Sequence, residues 1–192
     1  MKKSLGAKTI IYPTPVLVIG TYDAGDRPNA ATVAWGGICC SNPPCVAISL
    51  RKVTYTHANI MRQRCFTVNI PAKKQARQAD YFGMVSGEKT DKFAETGLTA
   101  VRSTLVHAPY IQEFPLALEC KLVQQIEIGS HTQFVGEILD IKADEEVFDG
   151  KGKLDIERVK PFFYAPENNA YYDIGSFIGN GFSIGQDVKK RP

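Results

Sequence analysis

The segment Ser49-Leu50-Arg51-Lys52-Val53-Thr54-Tyr55-Thr56 gathers an arginine and several hydroxyl groups into one short stretch. If a strand runs through Ser49 and Arg51, the two-residue period puts both on one face. Thr54 and Thr56 then precede a helix expected over about His57 to Arg64, with Thr56 as its cap and Ile60 and Met61 on its buried side. The start of a helix presents unsatisfied N–H groups and the positive end of its dipole, and both favour an anion. An arginine fork, hydroxyls and a helix N-terminus together can hold a phosphate dianion. The same residues also read as an ordinary capped helix beside an exposed arginine, and this stretch alone does not decide between the two.

A second stretch, Asn29-Ala30-Ala31-Thr32-Val33-Ala34-Trp35-Gly36-Gly37, is small and glycine-rich around one large aromatic. Small residues let a ligand approach the main chain closely, so its N–H and C=O groups can bond the edge of a planar heterocycle such as a flavin. Trp35 would then shield part of the ring system; alternatively it is a core residue. A third stretch, Ser86-Gly87-Glu88-Lys89-Thr90-Asp91-Lys92-Phe93, is a polar loop leading into a helix. There Lys92 either adds charge to a phosphate or is solvated.

Other chemistries find no support. The chain has no G-x-G-x-x-G after a strand, no G-x-x-x-x-G-K-[ST], no H-E-x-x-H and no G-x-S-x-G. The glycines of Gly179-x-Gly181-x-x-x-Gly185 fit none of these spacings and read as loop. His57 and His107 have no obvious partner in sequence, and His131 lies at a strand junction with no nucleophile elbow beside it. The five cysteines (Cys39, Cys40, Cys45, Cys65 and Cys120) are odd in number and show no C-x-x-C, which argues against a disulfide framework and a cysteine zinc site. Most are expected to be small buried hydrophobes in a reducing cytoplasm.

Many short strands must position these residues. Val16 to Thr21 is a β-branched run after a Pro-x-Pro lead-in, and Asp23 to Pro28 has turn chemistry. Asn29 to Trp35 returns to complete a hairpin. Val46–Leu50 and Cys65–Ile70 are further strands, and Leu116–Ile128 and Gln133–Ile141 are long ones joined at Gly129-Ser130-His131. Lys73 to Phe82 reads as a surface helix, and Asp91 starts a short helix that Gly97 ends. Strands outnumber helices and tight turns join them, which favours a closed antiparallel barrel with peripheral helices. The hydrophobic fraction of 44% suits a globular core. Lys and Arg exceed Asp and Glu by three (23 against 20), and Lys189-Lys190-Arg191 reads as a solvated tail, so no nucleic-acid partner is expected. No run approaches the roughly 18 apolar residues of a membrane span.

In order along the chain, Pro13-Thr14-Pro15-Val16, Asn29-Ala30-x-Thr32-x-Ala34-Trp35-Gly36, Asn42-Pro43-Pro44, Phe66-x-Val68-Asn69, Asp91-Lys92-Phe93 and Gly129-Ser130-His131-x-x-x-Val135-Gly136-Glu137 resemble the flavin reductase-like family of FMN-binding split barrels. No single piece is specific; their order and spacing from Tyr12 to Tyr171-Tyr172 carry the likeness. The resemblance implies a mainly β fold, a Greek-key antiparallel split barrel, as one domain over residues 1–192. It implies FMN as cofactor, no metal, a homodimer with FMN near the interface, and a redox partner protein or NAD(P)H. Thr32, Val33, Ala34 and Trp35 would line the isoalloxazine. Ser49, Leu50, Arg51, Thr54, Tyr55 and Thr56 would take the phosphate and ribityl chain, and Ser86, Gly87 and Lys92 would close the site from the other side. His131 matches a family histidine on the flavin or nicotinamide side, although the family's common Asp before it is Ser130 here. The implied function is electron transfer through FMN. A second reading is an NAD(P)H:flavin oxidoreductase working by hydride transfer, and a third is a non-redox module for a phosphorylated ligand.

Overall fold

The computed structural model describes residues 1–186 and 188, so the basic run Lys189-Lys190-Arg191 lies outside the described residues. A short strand β1 (Thr14–Pro15) leads into β2 (Leu17–Tyr22), which pairs with β3 (Pro28–Val33) as the expected hairpin. Asp23 closes its turn by accepting from the Gly25 and Arg27 main-chain N–H groups at 2.8 and 3.0 Å. Strands β4 (Gly36–Ser41) and β5 (Pro44–Arg51) form a second hairpin. Then follow helix α1 (Tyr55–Gln63), strand β6 (Cys65–Ile70), and helices α2 (Ala76–Met84) and α3 (Lys92–Thr96). A small pair, β7 (Ala100–Arg102) and β8 (Pro109–Ile111), precedes the long hairpin of β9 (Leu116–Ile128) and β10 (His131–Ala143). Helix α4 (Ile156–Val159) and strands β11 (Phe162–Ala165) and β12 (Ala170–Asp173) follow, and β11 and β12 make a three-stranded sheet with β1.

The seven-stranded sheet runs β3-β2-β6-β9-β10-β5-β4 with every pairing antiparallel. Its two edge strands, β3 and β4, are joined in sequence by Ala34-Trp35 alone. A two-residue link cannot cross the width of a flat seven-stranded sheet at nearly 5 Å per strand, so the sheet curls until its edges meet. The Ser49 N–H donates to the Trp35 carbonyl at 2.8 Å and ties that link to β5. The result is the split barrel.

Strand β2 shows why Val16 to Ile19 reads as an unbroken apolar run. Leu17 and Ile19 enter the barrel with Ile48, Phe66, Val68 and Phe134. Val16 and Val18 pack on the outer face with Ala79, Phe82 and Phe93. Both faces are covered, so alternation disappears. The outer cluster fixes α2 and α3 against β3.

Two helix expectations need correction. Thr54, not Thr56, caps α1: its Oγ1 accepts from the His57 N–H at 3.4 Å, while the Thr56 hydroxyl accepts from Asn29 Nδ2 at 2.9 Å. Met61 is exposed, and the buried face is Thr56, Asn59 and Ile60. Helix α3 follows expectation: Asp91 accepts from the Ala94 N–H at 3.0 Å, and Gly97 ends the helix in the left-handed region at φ 67°.

Candidate functional site

A cavity of about 250 Å³ opens where β3, the end of β5, the start of α1, the end of α2 and the start of α3 converge. It is lined by Thr32, Leu50, Thr54, Tyr55 and Thr56 on one side, and by Phe82, Ser86, Gly87 and Lys92 on the other. Eight of the residues picked from sequence (Thr32, Leu50, Thr54, Tyr55, Thr56, Ser86, Gly87 and Lys92) thus face one space. Packing explains the convergence. The Thr32 hydroxyl donates to the Ala79 carbonyl and pins β3 to α2. Helix α3 is held to both by Phe93 against Phe82, with ring centroids 5.7 Å apart.

Lys92 is the charged residue of this lining and is 3% exposed. Its Nζ donates to the Ala30 and Phe82 carbonyls at 2.7 and 2.9 Å. Among the described residues no carboxylate lines the cavity, and burial lowers the lysine's pKa to about 8. An ammonium has three donors and only two are used. Opposite it, the first-turn N–H groups of α1 lie beyond the reach of any i−4 carbonyl and are backed by the helix dipole; Thr54 takes that of His57, which leaves those of Tyr55 and Thr56 for a ligand. A buried cation lacking a counter-charge, hydroxyls and a helix N-terminus make a donor set for an anion. The chemistry fits a phosphate monoester and does not fit a metal ion.

Tyr55 is anchored from behind. Its hydroxyl donates to Asp23 Oδ2 at 2.8 Å, and Arg27 Nε donates to the same oxygen at 2.7 Å. Burial alone would raise the Asp23 pKa, but bonds from the Arg27 N–H, the Tyr55 hydroxyl, the Gly25 N–H and the Arg27 side chain hold it at about 2. Sequence reasoning missed this network. The Asp23-x-Gly25-x-Arg27 turn signalled a hairpin, but nothing in it signalled Tyr55.

Gly87 is in van der Waals range of the same wall. A Cβ there would overlap Asn29 Oδ1 and come within 2.9 Å of its Cγ. Asn29 is buried, and its Nδ2 donates to Thr21 and Thr56. Gly87→Ala is therefore expected to displace Asn29 and lose both bonds, costing about 2 kcal/mol at roughly 1 kcal/mol each. Urea unfolding checks this; a midpoint equal to that of the parent would mean that the loop shifts freely.

Other residues picked from sequence lie elsewhere. Trp35, Ser49 and His131 line a separate, more open space of about 440 Å³ with Ile10, Ile11 and Ile128. Ala34 faces a third space of about 380 Å³ with Asp80, Tyr164 and Tyr171, which shares Thr32, Gly83 and Met84 with the first. The Val33 side chain is in the barrel core, so only its main chain is available to a ligand. Arg51 is exposed and outside all three linings. The β5 pleat turns it, with Ser49, away from Leu50, and it stands opposite His131 across β10. Among its neighbours, Ser130 Oγ lies 2.9 Å from His131 Nδ1.

The remaining histidines do have partners. His57 Nε2 lies 2.8 Å from Thr132 Oγ1, which donates to Glu127, and burial lowers the His57 pKa. His107 Nε2 meets Asp26 Oδ1 at 2.8 Å. Lining residues that the sequence did not flag are apolar or lack a side chain: Ala31, Val53, Phe82, Gly83, Met84 and Val85. Their chemistry is ordinary and only the fold places them.

A model of the flavin reductase like domain matches residues 9–168 of this chain. The chain belongs to the flavin reductase-like family. Among solved members of similar structure is a flavoredoxin of Desulfovibrio vulgaris (Miyazaki F). It is 52% identical, with 97% of this chain and 100% of that one covered at a TM-score of 0.93. A flavoredoxin from Methanosarcina acetivorans is 31% identical over 98% and 99% of the two chains, at a TM-score of 0.92. The high molecular weight rubredoxin of Moorella thermoacetica is 32% identical over 126 residues. Those residues are 65% of this chain and 54% of the rubredoxin, so the likeness spans about half of that protein. Among the described residues, no helix of this family member is long and apolar enough to cross a membrane.

Proposed function

We propose that this chain is an FMN-binding flavoprotein that carries electrons, in the manner of the flavoredoxins it resembles. The observation that carries the reading is Lys92: a buried ammonium with no acid beside it among the described residues, facing hydroxyls and a helix start. Lys92, Thr56, Ser86 and the Tyr55 and Thr56 N–H groups of α1 hold the phosphate, with Thr54, whose hydroxyl donates to the Arg51 carbonyl and accepts from the His57 N–H, fixing the helix start beside it. Gly87 keeps that wall thin, and Leu50 and Phe82 supply the apolar sides. The first cavity is too small for a whole flavin nucleotide, so the ring extends past Thr32. Thr32, Ala34, Trp35 and the Val33 main chain are assigned to it, with Ser49 and His131 beyond Trp35. Arg51, exposed beside the cavity, adds long-range attraction only.

When bound, FMN supplies a two-electron couple whose potential the surrounding charges and hydrogen bonds tune. The chain's own part is to grip the tail, exclude water with its apolar walls and orient His131 through Ser130. A second copy of the chain, covering the open Trp35–His131 side, is proposed as partner. The cytoplasm is the proposed location, with a redox protein as donor or acceptor.

The test is anaerobic. Holoprotein mixed with NADH or NADPH is expected to keep its flavin absorbance near 450 nm, and to lose it when a reduced electron-carrier protein is added. Rapid bleaching by either nucleotide would establish the reductase reading instead. A colourless chain that takes up no added FMN would leave the non-redox binding module.

A further inference from the structure

The β4–β5 hairpin carries thiols that the cofactor site does not use. Along β4, Ile38 is opposite Val46 and Cys40 is opposite Cys45, so two steps on one strand answer one on the other. The irregularity is a β-bulge with Cys39 as its extra residue. Cys39 and Cys40 are exposed on an edge strand, and Cys45 is buried beneath them. Cys40 is the direct register partner of Cys45, whose thiol is pushed up in pKa by burial first and then by Cys40 and Cys39. Among the described residues no group of three such side chains is arranged to hold a metal ion.

Directly opposed residues in an antiparallel pair have Cα atoms about 4.5–5.5 Å apart, inside the roughly 4.4–6.8 Å range that a disulfide spans. Any movement needed to bring the two sulfurs into bonding range can be supplied by an edge strand already bulged at that point. The closed loop would be very short, so it constrains the unfolded chain little and is a poor structural staple. Exposed, lightly strained disulfides of this kind are the readily reduced ones.

We propose that Cys40 and Cys45 form a reversible dithiol–disulfide couple that reacts with low-molecular-weight disulfides. The Cys40 thiolate attacks one sulfur of R–S–S–R, that S–S bond breaks, and RS⁻ leaves and takes a proton. Cys45 then loses its proton, its sulfur attacks the Cys40 sulfur of the mixed disulfide, and a second RSH departs. Overall the protein dithiol is oxidised by two electrons and one R–S–S–R is reduced to two RSH. Cys120, fully buried and held at about 12 mainly by burial, takes no part.

The experiment equilibrates FMN-loaded protein in mixtures of oxidised and reduced glutathione, quenches with an alkylating agent and reads intact mass. Two thiols are expected to disappear together, with a loss of two hydrogens, while the chain stays uncrosslinked on a non-reducing gel. The oxidised fraction is expected to depend on the square of the reduced glutathione concentration; a first-power dependence means a simple mixed disulfide and overturns the proposal. Cys39→Ser is expected to keep the two-hydrogen loss and Cys40→Ser to abolish it, with flavin absorbance reporting that each variant is folded. The reverse pattern, five alkylated thiols at the most oxidising ratio, or a disulfide between chains would each refute the Cys40–Cys45 couple.

Discussion

Lys92→Met is expected to lower FMN affinity by roughly 100-fold while changing riboflavin affinity by less than about threefold. A hydrogen bond to a charged group contributes about 1.5–3 kcal/mol, and every 1.4 kcal/mol is tenfold in affinity. Lys92 adds the Coulomb attraction of a cation that is 3% exposed and poorly screened by salt. Riboflavin has no phosphate, so the comparison isolates the tail. Arg51→Ala serves as the contrast: its exposed guanidinium lies outside the cavity lining, and its removal is expected to cost less than tenfold. Fluorescence quenching titrations of both flavins against the three proteins decide the matter. Equal losses for FMN and riboflavin would show that Lys92 only props up the site. A larger loss in Arg51→Ala than in Lys92→Met would return the phosphate to the arginine.

That contrast also shows what the sequence could and could not reveal. Hydroxyls around a helix start are a local pattern, so Thr54, Tyr55 and Thr56 were legible in their own neighbourhood. The β2–β3 and β9–β10 hairpins were legible for the same reason, since turn chemistry sits between apolar runs. The location of Arg51 was not, because which side of β5 it takes depends on register with β10. Lys92 is the opposite case. As a lysine one residue past a cap it looks solvated, and only the packing of α2 and α3 onto β3 buries it. Strand β4 escaped notice because its Gly36-Gly37 start reads as loop and its bulge breaks the two-residue period. The Trp35 and Ser49 side chains face a different space from Thr32 because the chain leaves β3 at Ala34 to cross the barrel seam.

The stability of the cofactor-free protein is expected to rise as the pH is raised from about 8 to about 10.5, and Lys92→Met is expected to lack that rise. The ordinary lysine value is 10.5, whereas burial holds Lys92 at about 8 in the folded chain. Between those values the unfolded chain binds a proton that the folded chain has released, so stability increases with pH. The shift of about 2.5 units corresponds to roughly 3 kcal/mol, fully gained only above the unfolded value. A neutral amine keeps two N–H donors, so the bonds to Ala30 and Phe82 survive deprotonation. Bound phosphate favours the ammonium and raises its pKa, so FMN affinity is expected to fall by up to tenfold per pH unit above about 8. Any other group that changes protonation in the same window contributes alike to both proteins, and subtracting the Lys92→Met profile removes its contribution. Urea midpoints at pH 7.5, 9 and 10 for the two cofactor-free proteins supply the difference. If the two profiles run parallel, Lys92 already has a counter-ion in the folded chain and no unpaired cation is left in the cavity to hold an anion.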